Sequence, residues 1–224
     1  KWARWIGAMR RGRFIALEGG EGSGKSTHAR LLADALAKRG IVAVLTREPG
    51  GTPGAEAIRE LLLHPPTDSP NGGWNARAEA LLFAAARSDH VDKLIRPALE
   101  RGEWVICDRF VDSSRAYQGG ASELGDAAVN ALHDFGSGGI RPDVTLLLTV
   151  PPGLALERLS ARDKGRSDAI GGRGAEYHGQ VAAAFRDLAE RDPHGFRVID
   201  GAASREEVHA RVLAAIAPML GELG

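Results

Sequence analysis

The stretch that leaves this chain the fewest possible folds is Gly19-Gly20-Glu21-Gly22-Ser23-Gly24-Lys25-Ser26-Thr27. It lies between the apolar run Phe14-Ile15-Ala16-Leu17 and the helical pattern Ala29 to Ala37. Strand, glycine-rich loop and helix in that order, with Gly19 and Gly24-Lys25-Ser26 at phosphate-loop spacing, specify a pocket for a nucleoside triphosphate. The glycines let backbone N–H groups turn inward on the phosphates, and the helix that follows adds its positive N-terminal dipole. Lys25 can reach the terminal phosphates, and the Ser26 hydroxyl can ligate Mg²⁺.

Four more apolar runs, Ile41 to Leu45, Trp104 to Cys107, Val144 to Val150 and Phe196 to Ile199, alternate with helical patterns. The predicted fold class is therefore α/β, a five-stranded parallel sheet with helices on both faces. Right-handed crossovers bring every strand's C-terminal end to one edge, where ligands bind. The 224 residues suffice for one well-buried domain, expected to span 13–224. Lys1 to Arg13 carries five basic residues, two tryptophans and no acid, and Met9 stands just before the first strand. Residues 1–12 are accordingly expected to be a basic extension, non-native or disordered. The Gly/Pro-rich stretch His64 to Gly73 reads as a loop between two helices.

Charge excludes some function classes, because 29 basic residues balance 29 acidic ones. No nucleic-acid or membrane partner is expected from such neutrality. No apolar run approaches the roughly 20 residues of a membrane helix. The single cysteine, Cys107, falls in a strand run, as in a reducing compartment, so a cytoplasmic protein is expected. The seven histidines are scattered and suggest no zinc site.

Chemistry is looked for just after each strand. Thr46-Arg47-Glu48-Pro49-Gly50-Gly51-Thr52 follows the second run and is a rigid turn whose Arg47 and Glu48 can approach an anion or hydroxyl. Phe83 and Arg87 are four apart on one helix face, where a ring can stack on a flat heterocycle and a guanidinium can donate to its exocyclic oxygen. Taken alone, such a phenylalanine is more often core and such an arginine more often solvated. Asp108 ends the third run, the usual place for a carboxylate that orients Mg²⁺, and Arg109, alternating to the other face, can clamp a second phosphate. An ion pair with a neighbouring helix explains either residue singly, but not both at this edge.

In order along the chain, the phosphate loop, Thr46 to Thr52, Phe83 with Arg87, Asp108-Arg109-Phe110, Ser114-Arg115-Ala116-Tyr117-Gln118-Gly119 and Arg141-Pro142-Asp143 resemble thymidylate kinase of the bacterial kind. The resemblance runs from about Arg13 to the C-terminus. It implies the nucleoside monophosphate kinase fold with a lid, and transfer of the γ-phosphoryl group of ATP to dTMP. Residues Gly19 to Thr27 would hold ATP, with Lys25 bridging toward the transferred group. Ser26 and Asp108 would serve Mg²⁺. Glu21 would approach the sugar 3′-hydroxyl, Phe83 would stack on thymine, and Arg87 would donate to its O4. Ser114 would face N3, Tyr117 would pack against C2′, and Arg109 would hold the dTMP phosphate. Arg47, Glu48, Pro49, Ser113 and Gln118 complete the implied substrate pocket. A homodimer is implied too, for which the alanine-rich helix Ala76 to Ala86 could supply a face.

Members of this kind take catalytic arginines from a lid, here expected at about 163–177. The sequence departs from the pattern there, because the usual Asp-Arg-x-Glu falls on Asp168-Ala169-Ile170-Gly171. Arg166 or Arg173 is expected to substitute, set among Gly165, Gly171, Gly172 and Gly174; the alternative is that both are solvated loop charges. Arg158 and Arg162 are further donors. Two other functions fit the residues: a related kinase acting on dUMP, dCMP or a nucleoside, and a nucleotide-binding switch without turnover.

Overall fold

The computed structural model describes residues 11–66, 73–163 and 169–221. The basic stretch 1–10, most of the expected loop at 67–72, and Arg166 with Asp168 lie outside the described residues. Five strands form one parallel sheet in the order β2-β3-β1-β4-β5. They are β1 (Phe14–Glu18), β2 (Ala43–Arg47), β3 (Trp104–Asp108), β4 (Val144–Thr149) and β5 (Phe196–Asp200). The chain enters the fold at Gly12, whose N–H donates to the Leu99 carbonyl at 2.9 Å.

Strand β1 is buried on both faces, as its unbroken apolar run requires. Its side chains alternate. Ile15 and Leu17 join Ile106, Leu146 and Leu148 beneath α1 (Lys25–Ala37) and α9 (Arg205–Gly221). Phe14 and Ala16 join Val105, Cys107 and Phe110 on the other face. There they pack against a π-helical stretch, Val91–Ile95, and α4 (Arg96–Glu100). Each fully buried leucine or isoleucine contributes about 1.5–3 kcal/mol, so the centre of the sheet is the least deformable part of the molecule. Leu147 faces a third cluster with Tyr117, Val181 and Phe185, which seats α8 (Ala175–Arg191).

Strand β2 begins two residues later than the apolar run suggests. The Ile41 N–H still returns to the Leu36 carbonyl at 3.0 Å, so Ile41 belongs to the turn that ends α1. Pairing then runs from Ala43 opposite Trp104 to Arg47 opposite Asp108, which carries Arg47 to the ligand edge beside Asp108.

Local chemistry starts the helices that approach this edge. Thr52 caps α2 (Pro53–Leu63), accepting from the Ala55 N–H at 3.3 Å with Pro53 in the first turn. Asn75 caps α3 (Ala76–His90), accepting from the Ala78 N–H at 2.9 Å. After β3 come the short α5 (Val111–Ser114), a π-helical stretch Arg115–Ala121, and α6 (Asp126–Ser137). Helix α7 (Pro152–Asp163) and α8 flank the segment expected to be the lid. Among the described residues no helix is long and apolar enough to cross a membrane.

Candidate active site

The loop between β1 and α1 has its phosphate-cradling shape because of its glycines. Gly19, Gly22 and Gly24 adopt φ of 138°, 72° and 94°, a region that costs other L-residues roughly 1–2 kcal/mol. Space enforces two of them: a Cβ on Gly19 would lie 2.3 Å from the Leu148 carbonyl oxygen, and one on Gly22 would lie 2.5 Å from that of Ala155. Gly24 then caps α1, which starts at Lys25 with Ser26 and Thr27 exposed in its first turn. The Lys25 ammonium donates to the Gly19 and Gly20 carbonyls at 3.0 and 2.7 Å and to Ser23 Oγ at 3.3 Å. Burial, helped by the nearby Arg109 charge, lowers its pKa to about 8, against the pull of Glu21, Asp108 and Glu18.

Asp108 closes β3, and the Ser26 hydroxyl donates to its carboxylate across the mouth of the loop. These are hard oxygen donors of the type Mg²⁺ prefers, so the pair fits that ion. Arg109 does reach the phosphate loop, but not by strand alternation. Its φ is 71°, a left-handed turn rare for a residue with a side chain. The turn folds its guanidinium back over the loop to the Gly19 carbonyl at 3.1 Å, Glu21 at 2.5 Å, Ser113 Oγ at 3.0 Å and Tyr117 Oη at 3.3 Å. The guanidinium carbon stands 5.2 Å from the Tyr117 ring centroid. Burial works against this charge, but Tyr117, Glu21 and Asp108 outweigh it and hold its pKa above the ordinary value.

What holds that turn is Glu18, which sequence reasoning passed over. It is fully buried at the end of β1. Its carboxylate accepts from the Phe110 N–H at 2.7 Å, the Ser113 N–H at 3.0 Å and the Ser113 hydroxyl at 2.6 Å. The residues that follow the strained Arg109 backbone are thus anchored to the central strand.

The far wall consists of α3 and the β2 turn. Arg87 is buried and donates through Nε to Glu48 at 2.7 Å and through Nη2 to Ser114 Oγ at 2.9 Å. Arg47 pairs with Glu56 at 3.0 Å near the surface, and Arg59 donates to the Pro49 carbonyl at 2.7 Å. Gln118 is buried, its amide donating to Glu79 at 2.8 Å.

These walls enclose a cavity of about 710 Å³. Lys25, Ser26, Asp108 and Arg109 line it beside the glycine-rich loop, and Phe83, Arg87, Ser114 and Tyr117 line it as well. Glu21, Arg47, Glu48, Pro49, Ser113 and Gln118 open onto the same space. Of the lid residues, Arg173 does not line it. That guanidinium pairs with Glu79, donates to Tyr177 Oη at 2.5 Å and stands 4.7 Å from the Tyr177 ring centroid. Arg158 does line the cavity and donates to the Gly201 carbonyl at 3.1 Å.

Comparison with known proteins agrees with this geometry. The family model for thymidylate kinase matches residues 17–212. The thymidylate kinase of Rhizorhabdus wittichii is 54% identical over 209 residues, covering 93% of this chain and 99% of that protein. That of Bradyrhizobium sp. is 47% identical over 199 residues, covering 88% and 86%. The crystal structure of thymidylate kinase from Ehrlichia chaffeensis is similar with a TM-score of 0.73 and 33% identity, over 92% of this chain and 99% of that one. With a phosphate loop, the buried Arg87 and Arg109 lining one cavity, and with relatives matched over nearly their whole length, this chain belongs to the thymidylate kinase family.

Proposed function

We propose that the protein transfers the γ-phosphoryl group of ATP to dTMP, giving dTDP and ADP. The observation that carries the reading is the single cavity shared by Lys25, Arg109, Phe83 and Arg87. A phosphate-loop lysine and a buried arginine lining one space suit two nucleotides meeting by their phosphates. In the reaction a 5′-phosphate oxygen of dTMP attacks the γ-phosphorus, the new P–O bond forms as the β,γ-bridging bond breaks, and ADP carries away the electron pair. Little covalent work falls to the protein, so alignment and positive charge dominate.

Lys25 meets the phosphates of ATP, and Arg109 holds the acceptor phosphate. Glu21, paired with Arg109, sets the sugar's 3′-hydroxyl. Phe83 stacks on thymine, Arg87 donates to its O4, Ser114 faces N3, and Tyr117 closes on C2′. Mg²⁺, if held by Ser26 and Asp108 with its waters, supplies charge neutralisation along the phosphates. Arg173 already grips Glu79 and Tyr177, so Arg166 is the lid arginine proposed to meet the transferring group. Such an arginine stabilises only the transferring state.

The deciding assay is ADP release with and without added dTMP, run beside dUMP, dCMP and dGMP. Release that depends on dTMP, and exceeds that with the other three, is expected. Release indifferent to dTMP would mean a nucleotide-binding switch.

A homodimer belongs to the same proposal. The neighbouring helices α2, α3 and α6 each expose a large apolar side chain: Leu61, Leu81 and Phe135, the last 95% exposed. Sedimentation at micromolar concentration should give a dimer for the parent and a monomer for Phe135→Ser.

A further inference from the structure

Nothing in the proposed reaction uses His90, yet it is among the most completely enclosed polar side chains in the fold, with 0% of its surface exposed. It ends α3, three residues beyond Arg87. Its Nδ1 lies 3.1 Å from one Glu48 oxygen, and its Nε2 lies 2.8 Å from Thr46 Oγ1. The other Glu48 oxygen takes the Arg87 Nε–H at 2.7 Å. Arg87 continues the line to Ser114 Oγ at 2.9 Å and to the Phe110 carbonyl at 3.4 Å. Thr46, His90, Glu48 and Arg87 are all buried.

A carboxylate only accepts, so Nδ1 carries a proton; in the neutral ring Nε2 is then an acceptor and the Thr46 hydroxyl donates to it. Glu48 fixes the tautomer, Thr46 holds the far edge of the ring, His90 fixes the rotation of the carboxylate, and the carboxylate fixes the Nε edge of the guanidinium. With Nε and Nη2 so occupied, Nη1 is the nitrogen with no acceptor among the described residues, on a side chain that lines the cavity. The backbone is shaped around the same line. Gly51 adopts φ of 91°, and a Cβ there would stand 2.5 Å from Thr46 Oγ1 and 2.6 Å from His90 Nε2.

We infer that His90 is a positioning residue for base recognition: through Glu48 it locks the guanidinium of Arg87, and so sets the preference for a pyrimidine bearing a carbonyl rather than an amino group at ring position 4. The inference rests on the functional reading above. A guanidinium can only donate, so a 4-carbonyl completes it while a 4-amino group meets it donor to donor. That penalty is enforced only while Arg87 cannot turn away.

Two substitutions in the full-length protein separate orientation from mere support. In His90→Asn the amide nitrogen falls where Nδ1 was and keeps the bond to Glu48. In His90→Gln the amide reaches the Nε2 position and loses that bond. Steady-state kinetics with dTMP and dCMP should show the Gln variant with KM for dTMP raised about tenfold, kcat within about threefold, and the kcat/KM preference for dTMP over dCMP reduced about tenfold. The Asn variant should stay within about threefold of the parent in all three. Thr46→Val, which removes the partner of Nε2 and with it one hold on the ring, should narrow the same preference by about threefold. An unchanged preference in His90→Gln or in Thr46→Val overturns the inference, as does equal impairment of Asn and Gln, which would mark a purely structural role. A parent protein that releases no ADP on addition of dTMP would instead overturn the functional reading itself.

Discussion

At the phosphate end of the cavity, Lys25 draws its hydrogen-bond partners from Gly19, Gly20 and Ser23, two to six positions away in the chain. At the end proposed to take the base, Arg87 draws its partners from Phe110, Ser114 and Glu48, 23 to 39 positions away. The first group is assembled by the local conformation of one glycine-rich loop, the second only when the sheet and α3 are already in place. Phosphate recognition should therefore be separable from stability, whereas base recognition should not.

The largest effect expected is on turnover at the local end. Lys25→Ala should lower kcat by about 10²–10³, as for loss of one donor to developing charge. Its stability should change by no more than about 1 kcal/mol, because the ammonium's hydrogen bonds are replaceable by water. Burial disfavours the charge there, and the unfolded chain binds the Lys25 proton more tightly. At the remote end, Arg87→Ala leaves Glu48 enclosed beside His90 without its cation. Breaking a buried pair in this way costs about 3–5 kcal/mol. Glu48→Gln added to Arg87→Ala should recover part of that loss. Urea titrations of both single variants make the comparison directly: equal destabilisation by Lys25→Ala and Arg87→Ala would erase the distinction between the two ends.

The same contrast accounts for what could be read from the amino-acid sequence. The phosphate loop is contiguous, so its role is written in the spacing from Gly19 to Ser26, and the five strands are visible as apolar runs because a doubly covered parallel sheet admits little else. Boundaries were less legible: Ile41 looks like strand, but its N–H is used by the end of α1. Strand alternation would send Arg109 to the other face, whereas its guanidinium folds back over the phosphate loop, since nothing in a linear pattern announces a positive φ at a residue with a side chain. Helix spacing suggested the roles proposed for Phe83 and Arg87 only weakly, and those proposed for Ser114 and Tyr117 came from family resemblance alone, because Arg87 and Ser114 meet across distant segments. Glu18 offered one usable signal, a carboxylate closing an otherwise apolar central strand, which must find partners. His90 offered almost none, because Thr46 and Glu48 lie more than forty positions away.

The lid extends the comparison to a third kind of site, in which the partner matters more than the position. Arg173 is held by Glu79, whose other carboxylate oxygen takes the amide of Gln118 at the cavity wall. It serves the wall. Arg166→Ala should therefore lower kcat at least tenfold, about 1.4 kcal/mol of barrier, while Arg173→Ala lowers it less than threefold. Parallel kcat measurements decide between them. A tenfold loss in Arg173→Ala would show that its pair with Glu79 opens during turnover and that the wall is less fixed than the ion pair suggests.

Glu18 tests the comparison from within, for it stands under the phosphate end yet takes its partners 92 and 95 positions away. Burial first, and then the neighbouring Asp112, raise its pKa from 4.5 to about 7, against the opposing effects of Arg109 and its hydrogen bonds. The folded protein thus holds this proton more tightly than the unfolded chain. The stability it contributes is complete below pH 4.5 and is lost as pH rises through about 7. In Glu18→Gln the amide oxygen can still accept both backbone N–H groups and its nitrogen can donate to Ser113, but nothing titrates. Melting curves of parent and variant from pH 5 to 8 should therefore diverge, the variant gaining about 2–3 kcal/mol, or roughly 5–10 °C, toward pH 8. All other groups are common to both proteins and cancel in the difference. A pH-independent difference would mean that the three hydrogen bonds outweigh burial and keep Glu18 ionised throughout. The strained Arg109 turn would then be anchored by a permanent charge, and even the phosphate end would depend on remote electrostatics as the base end does.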